Sequence, residues 1–132
     1  MPKGNAGDYL WFRSQFQDVS GQLNVAAATG DTTLVTARDA NTAIFVQRIV
    51  VYIQTDAAQS MAFTDTAATP VEIAKVSTSP GASTRWDFDF GEEGIQLTQG
   101  KNFLMDVSAA GLVGVVKYYA YTKNVVTTSG LL

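Results

Sequence analysis

The segment that most narrows the folds open to this chain is RWDFDF, from Arg85 to Phe90. Aromatic residues occupy every second position, and charged residues occupy the positions between them. Successive side chains of a β-strand point to opposite sides of the sheet, so a period of two indicates a strand with one buried face. The segment therefore predicts a strand whose aromatic side packs in a core and whose charged side faces solvent.

The longest apolar segment, TAIFVQRIVVYIQT at residues 42–55, is predicted to be a central strand. Its many β-branched residues argue against a helix. Because both of its faces are largely apolar, we expect the strand to be covered on both sides for much of its length. Uninterrupted alternation would place Phe45, Gln47 and Ile49 on one face and Arg48 on the other.

Turn signals separate eight or nine such segments at intervals near ten residues, and the last long segment covers residues 112–123. This pattern predicts an all-β fold, an antiparallel β-sandwich that is jelly-roll-like and has about eight strands. A length of 132 residues suits one domain. We expect an extended N-terminal arm at residues 1–20, the β-sandwich at residues 21–124 and a C-terminal tail at residues 125–132.

Composition argues against several classes of function. The net charge is −3, and the nine basic residues are scattered singly, whereas nucleic-acid binding needs clustered lysine and arginine. The chain has no cysteine and no histidine, which removes disulfides, thiolate metal sites and the commonest general base. No phosphate-binding or hydrolase motif is present. We therefore expect no catalytic residues, no cofactor and no enzymatic activity.

Four carboxylates, at Asp87, Asp89, Glu92 and Glu93, form the strongest candidate for chemistry. Asp87 and Asp89 would lie about 7 Å apart on one face of a strand, within the range of a paired-carboxylate glycosidase. A calcium loop is the second interpretation, but the EF-hand pattern lacks its third ligand and its closing glutamate here. The favoured interpretation is a solvated strand face followed by an acidic turn, and an adventitious cation stays open.

The segment YLWFRSQF, residues 9–16, concentrates large apolar side chains without a clear period. Exposed apolar groups of this size need a covering surface. Either the segment folds back and caps the sandwich, or it docks on a neighbouring subunit or another protein. Arg48 is either an interface arginine or one whose stem lies on apolar surface near a sheet edge. The candidate partner-binding residues are Tyr9, Leu10, Trp11, Phe12, Phe16 and Arg48.

The second half of the chain, WDFDFGEEGIQLTQGKNFLMDVSAAGLVGVVKYYAY, resembles the C-terminal half of small tailed-bacteriophage virion proteins. The shared features are an aromatic strand, then G-I-x-L-x-x-G at residues 94–100, a strand ending in Ser-Ala at residues 103–109, and a closing strand ending in tyrosine at residues 112–121. The resemblance covers about half the chain and transfers no functional residue. It implies a capsid decoration or cement protein, which is β-rich and often oligomeric.

The resulting expectation is a non-enzymatic virion structural protein that binds the outside of a phage capsid and stabilises it. Its partners would be the major capsid protein and other copies of itself, as a dimer or trimer, with no nucleic acid and no membrane. It would be made in the host cytoplasm, because residues 1–16 lack the apolar core of a signal peptide. Deleting residues 1–16 should leave a folded domain that no longer binds shells.

Two alternatives remain at this point. One is another virion part, such as a head fibre, tail or baseplate subunit. The other is a carbohydrate-binding β-sandwich module that uses Trp86 or the tyrosines Tyr118, Tyr119 and Tyr121. For the tyrosines, packing with hydroxyl groups reaching the rim is the favoured interpretation.

Overall fold

The computed structural model describes residues 16–25, 30–55, 58–78, 82–108 and 113–126. Ten β-strands form in these ranges, and the same ranges contain no α-helix. The strands are β1 Phe16–Asp18, β2 Gly21–Asn24, β3 Gly30–Val35, β4 Thr42–Thr55, β5 Ser60–Asp65, β6 Glu72–Ser77, β7 Ala82–Asp89, β8 Ile95–Gln96, β9 Phe103–Val107 and β10 Val113–Asn124. Nowhere in the described part of the chain is there a helix long and apolar enough to cross a bilayer.

The strands form two antiparallel sheets. In sheet A, β10 and β4 lie at the centre, the short strands β1 and β2 pair with successive parts of β10, and β7 and β8 pair with successive parts of β4. In sheet B the order is β3-β9-β5-β6. Residues 16–18 of the predicted arm therefore belong to sheet A, and residues 1–15 lie outside the described residues.

The connectivity is that of a jelly roll. Apart from the short strands β1 and β8, the pairing is nested: β2 pairs with β10, β3 with β9, β4 with β7, and β5 with β6. The chain thus behaves as one long hairpin that is wrapped into two sheets, with the first principal strand beside the last. The predicted fold class, an antiparallel jelly-roll sandwich with about eight strands, is confirmed.

The core lies between the two sheets, and its position confirms much of the predicted alternation. Phe63 and Phe103 from sheet B are fully buried and pack together, with ring centroids 6.3 Å apart. From β7, the aromatic side packs against this core, while Arg85 and the two aspartates of the strand are exposed. The fully buried large side chains are Phe63, Phe103, Ile44, Ile49, Ile53, Met61, Leu97, Met105, Val25, Val46 and Val51.

The long strand β4 departs from the predicted alternation because it contains a β-bulge. Arg48 lies opposite Tyr119 on β10, but the next pair along the ladder joins Val46 to Ala120, so Gln47 is an extra residue on β4. An extra residue shifts the side-chain phase by one position, which exchanges the two faces of the strand. The faces expected for the first half of β4 were therefore wrong.

Downstream of the bulge, Ile49 points into the core and lies on the face opposite to Arg48, as the alternation predicted. Upstream of it, Ile44 is buried in the core and Phe45 points outward, onto the same side as Arg48. Both faces of β4 are covered, as expected, from Thr42 to Val46, but the outer face is open further along the strand. Tyr52, on the outer face, is 52% exposed.

Candidate interaction face

The outer face of sheet A, the side turned away from the core, concentrates exposed apolar side chains. Among the described residues, Phe16, Tyr52, Val113 and Tyr119 are exposed large hydrophobic residues on this face, and Val71 is the one that lies elsewhere. A contiguous exposed apolar patch on a small protein commonly marks a contact surface. We therefore treat the outer face of sheet A as the candidate functional site.

The middle of this face is a shallow, open depression of about 460 Å³, which we call the central groove. Alternate residues of adjacent strands line it because every second side chain of a strand points to the same side. The residues that β4 and β10 contribute are Arg48, Val50, Tyr52, Val115, Lys117 and Tyr119. The groove therefore combines apolar and aromatic side chains with the positive charges of Arg48 and Lys117.

Arg48 is held in the groove by two strands. Its guanidinium donates two hydrogen bonds to the Asp87 carboxylate on β7, with Nε 2.8 Å from Oδ1. It also lies 5.8 Å from the centroid of the Tyr119 ring on β10. The hydrogen bonds from Arg48 hold the pKa of Asp87 below its usual value. Bidentate, charge-assisted hydrogen bonding of this kind fixes the arginine in one orientation.

The acidic cluster does not converge on a single point. Asp87 binds Arg48, whereas Asp89 accepts a hydrogen bond from the Gly91 amide at 2.9 Å and so belongs to the following turn. Within the described ranges, no three Asp or Glu side chains are placed to share a metal ion. The arrangement supports the interpretation of a solvated strand face followed by an acidic turn.

The acidic turn between β7 and β8 packs against the bulge of β4. Gln47 donates its side-chain amide to the Glu92 carbonyl oxygen at 2.6 Å, and the Tyr121 hydroxyl donates to the Glu93 carbonyl oxygen at 2.7 Å. Gly94 has a φ of 78°, and a Cβ atom there would lie 2.8 Å from a backbone oxygen of β4. Only glycine fits this position without strain.

A second depression, of about 510 Å³, lies where β1 joins this face. Three rings of its lining, Phe16, Phe45 and Tyr121, form what we call the aromatic cluster. Phe45 stacks on Tyr121 with ring centroids 5.1 Å apart, and the Phe16 ring centroid lies 5.9 Å from that of Tyr121. The Lys123 ammonium group sits 4.9 Å from the centroid of Phe45. Phe16 is thus one predicted partner-binding residue that the structure places on the candidate face, and Arg48 is another.

The remaining predicted partner-binding residues, Tyr9, Leu10, Trp11 and Phe12, lie outside the described residues. Sequence reasoning missed Tyr52, the most exposed tyrosine of the face. The alternation of β4 correctly places Tyr52 on the face opposite to its neighbours Val51 and Ile53. Its exposure was not predicted because both faces of β4 were expected to be covered.

The residues considered for a sugar platform are distributed over both sides of sheet A. The Tyr118 hydroxyl donates to the Leu34 carbonyl oxygen of sheet B at 2.9 Å, and burial raises the pKa of this tyrosine. Trp86 packs against the core. Tyr119 is exposed in the central groove, and Tyr121 belongs to the aromatic cluster. Packing is thus the role of Tyr118 and Trp86.

No protein-family model and no curated protein match this sequence. Among solved structures, the chain is similar to a protein in a virus-like particle of the prawn Macrobrachium rosenbergii extra small virus (10% identity, TM-score 0.43, 85% of this chain and 81% of that one). It is also similar to a pentameric capsid protein from metagenomic phage sequences (16% identity, TM-score 0.44, 86% and 65%). A third similar structure contains the CBM22-1 and GH10 modules of a Clostridium thermocellum xylanase, complexed with xylohexaose (6% identity, TM-score 0.36, 86% and 27%). Since all three TM-scores are below 0.5, nothing about function is concluded from them.

Proposed function

We propose that this chain is a non-enzymatic virion structural protein of the decoration type, which binds the outside of a phage capsid and stabilises it. The observation that carries the proposal is the aromatic cluster of Phe16, Phe45 and Tyr121, which lies at the point where the N-terminal segment enters sheet A. Residues 1–15 contain the apolar segment YLWFR and connect directly to this cluster. In this proposal the apolar side chains of the arm add to the contact area that the cluster offers.

The resemblance of residues 86–121 to small phage virion proteins is the reason for proposing a phage capsid as the assembly that this protein joins. A protein that binds only the assembled shell stabilises that shell by mass action. Many copies on one shell add avidity if each contacts more than one capsid subunit, so each single contact can be weak. The proposed partners are the major capsid protein and further copies of this chain.

The test is co-sedimentation of the purified chain with phage shells that lack it. We expect the full chain to pellet with the shells and a variant without residues 1–15 to remain in the supernatant. The deletion stops before Phe16 because Phe16 pairs with Lys123 in sheet A. Circular dichroism should show that the shortened chain keeps its β-structure.

A substitution in the aromatic cluster gives the same test without shortening the chain. Phe16→Ser should weaken shell binding, whereas Val71→Ser should not, because both side chains are exposed to a similar degree but Val71 lies away from the candidate face. Undiminished shell binding by both the deletion and Phe16→Ser would overturn this docking surface. Failure of the full chain to bind any shell would overturn the decoration role.

Two other functions give different results in simple assays. A ring or stack in electron micrographs without shells, with no shell binding, would favour a tail, baseplate or fibre subunit. Binding on a glycan array that is lost with Tyr119→Ala would favour a carbohydrate-binding module, since Tyr119 and Tyr52 are the exposed tyrosines of the central groove.

A further inference from the structure

The outer face of sheet B brings two carboxylates directly opposite each other. Asp31 on β3 and Asp106 on β9 are register partners, and both side chains are exposed. Like charges in directly opposed positions destabilise a strand pair. Among the described residues, neither aspartate forms an ion pair. The pair is therefore a site of negative charge at the β3 edge of the outer face of sheet B.

The neighbouring positions on this face add one acid and one lysine, so the two aspartates leave the face net negative. Glu72 on β6 lies opposite Thr64, and Lys75 on the same strand lies opposite Ala62. The face thus carries three acids and one lysine. Thr33 and Thr64 flank Leu104 in the ladder, so small and uncharged side chains separate the charges.

The central groove on the opposite side of the sandwich has the complementary character. Arg48 is neutralised by Asp87, but Arg85 reaches the same carboxylate only at 3.9 Å and is largely exposed. Lys117 is exposed, and it has no ion pair within the described residues. Arg48, Arg85 and Lys117 exceed the nearby carboxylates Asp87 and Asp89 by one charge, so the groove around Tyr52 carries a small net positive charge.

We propose that the central groove of one copy packs on the acidic outer face of sheet B of a second copy. Arg85 and Lys117 would then lie against Asp31 and Asp106, which relieves the repulsion between the two aspartates, and Tyr52 would be covered. This contact is the one through which the proposed virion protein would form a homo-oligomer. The inference rests on that proposed function. Complementary potentials of this kind select the partner and the register of an interface.

The contact is heterologous because the two surfaces lie on opposite sides of one sandwich. Each copy keeps one free surface after pairing, so the contact repeats into a ring or a stack rather than stopping at a dimer. The strands of sheet B are five or six residues long, so the sheet covers roughly 19 by 20 Å. Such a face gives a contact of about 400 Å² per partner, below the range of stable specific interfaces, so we expect weak association that salt weakens further.

The test uses charge reversal and the full chain, studied by analytical ultracentrifugation over a range of concentrations at low salt. Lys117→Glu and Asp106→Lys should each weaken self-association roughly tenfold or more, because each brings like charges together. An equimolar mixture of the two variants should associate again. In the mixture, the reversed groove of one variant meets the reversed sheet B face of the other, and the two unaltered faces also match.

Lys101→Glu is the matched control, since it makes the same charge change at an exposed turn residue outside both faces. Arg85→Glu provides a second groove variant if Lys117→Glu does not fold. Thermal unfolding of each variant confirms that the fold is intact.

A monomeric wild-type chain at all concentrations, or a mixture that fails to recover association, would overturn the head-to-tail contact. So would a loss that follows only one of the two reversals, because that result indicates contact between identical faces. Shell binding by the monomer would leave the decoration role standing. Restored association in the mixture without any shell binding would support the contact and overturn the decoration role.

Discussion

At the scale of single residues, Asp65 is the buried charged group on which the end of the sandwich depends. The side chain is 1% exposed and accepts four hydrogen bonds. Oδ1 accepts from the amides of Ala67 and Val71 at 3.1 and 3.0 Å, and Oδ2 accepts from the amide and hydroxyl of Thr98 at 2.9 and 2.6 Å. Burial by itself raises the pKa of this carboxyl, but the hydrogen bonds outweigh burial and lower the pKa below its usual value.

Replacing Asp65 by asparagine should lower the free energy of unfolding by about 2–4 kcal/mol at neutral pH, because an amide nitrogen would face donors that need an acceptor. The pKa of Asp65 is lower in the folded state. Its stabilisation is therefore complete above the unfolded pKa of about 3.9 and is lost as the pH falls through the folded value. Denaturant titrations of both proteins at several pH values should show their stabilities converging in that acidic window.

Asp106→Asn is the control for the Asp65 measurement. It removes the same charge from an exposed site and relieves the repulsion with Asp31, so it should leave stability within about 0.5 kcal/mol or raise it slightly. Equal losses in the two variants would show that the hydrogen bonds of Asp65 are not what stabilises this end of the sandwich.

At the scale of elements, the bulge in β4 decides which side chains of the strand reach the core. Gln47 is the extra residue, and its carbonyl oxygen accepts a hydrogen bond from the Phe90 amide at 2.8 Å. The bulge keeps Ile44 and Val46 inside together with Ile49, although their spacing does not follow a period of two. It also places Phe45 in the aromatic cluster.

Deletion of Gln47 should therefore prevent the native fold. Regular pairing with β10 would turn either Ile44 and Val46 or the downstream apolar residues to the outside. Each fully buried aliphatic side chain is worth about 1.5–3 kcal/mol, and domains have only about 5–15 kcal/mol in total. We expect near-ultraviolet circular dichroism to show loss of fixed aromatic packing.

Gln47→Ala is the matched variant because it keeps the extra residue and removes only the bond to the Glu92 carbonyl. It should cost about 1 kcal/mol. If the deletion variant unfolds cooperatively with a stability close to that of Gln47→Ala, the bulge does not determine the faces of β4.

At the scale of the whole molecule, β10 joins the two ends of the chain. It pairs with β1 and β2 on one side and with β4 on the other, and it contributes Val116 and Ala120 to the core. Because the pairing is nested, β1 and β2 at the start of the sandwich have no partner strand until β10, the last strand, is present.

A chain that ends at Ser108 should therefore fail to fold, whereas a chain that ends at Val126 should fold. The shorter chain loses the partner of β2 and exposes the edge of β4, both of which need hydrogen bonds. Thermal unfolding followed by circular dichroism should show a cooperative transition for the longer chain alone. A cooperative transition in the chain ending at Ser108 would show that β10 is dispensable.

The parts of the fold that sequence analysis predicted correctly are those that depend on local alternation. Met61 and Phe63 of β5 and the aromatic side of β7 point inward as their period of two indicates. The prediction for the first half of β4 was wrong because a bulge is a property of two paired strands. The partner strand, β10, lies some seventy residues away in the sequence. For the candidate site, Arg48 and Asp87 were each noted, but their pairing depends on the register between β4 and β7.

The sequence by itself determined that this chain is all-β, about how many strands it has, and which side of most strands is apolar, since these follow from the order of neighbouring side chains. Only the tertiary structure decided which strands pair within the jelly roll, that Arg48 binds Asp87, and that Asp31 faces Asp106. Each of these depends on backbone hydrogen bonds between segments that are far apart in the sequence. Periodicity reports the faces of a strand, and it carries no information about the partner beside it.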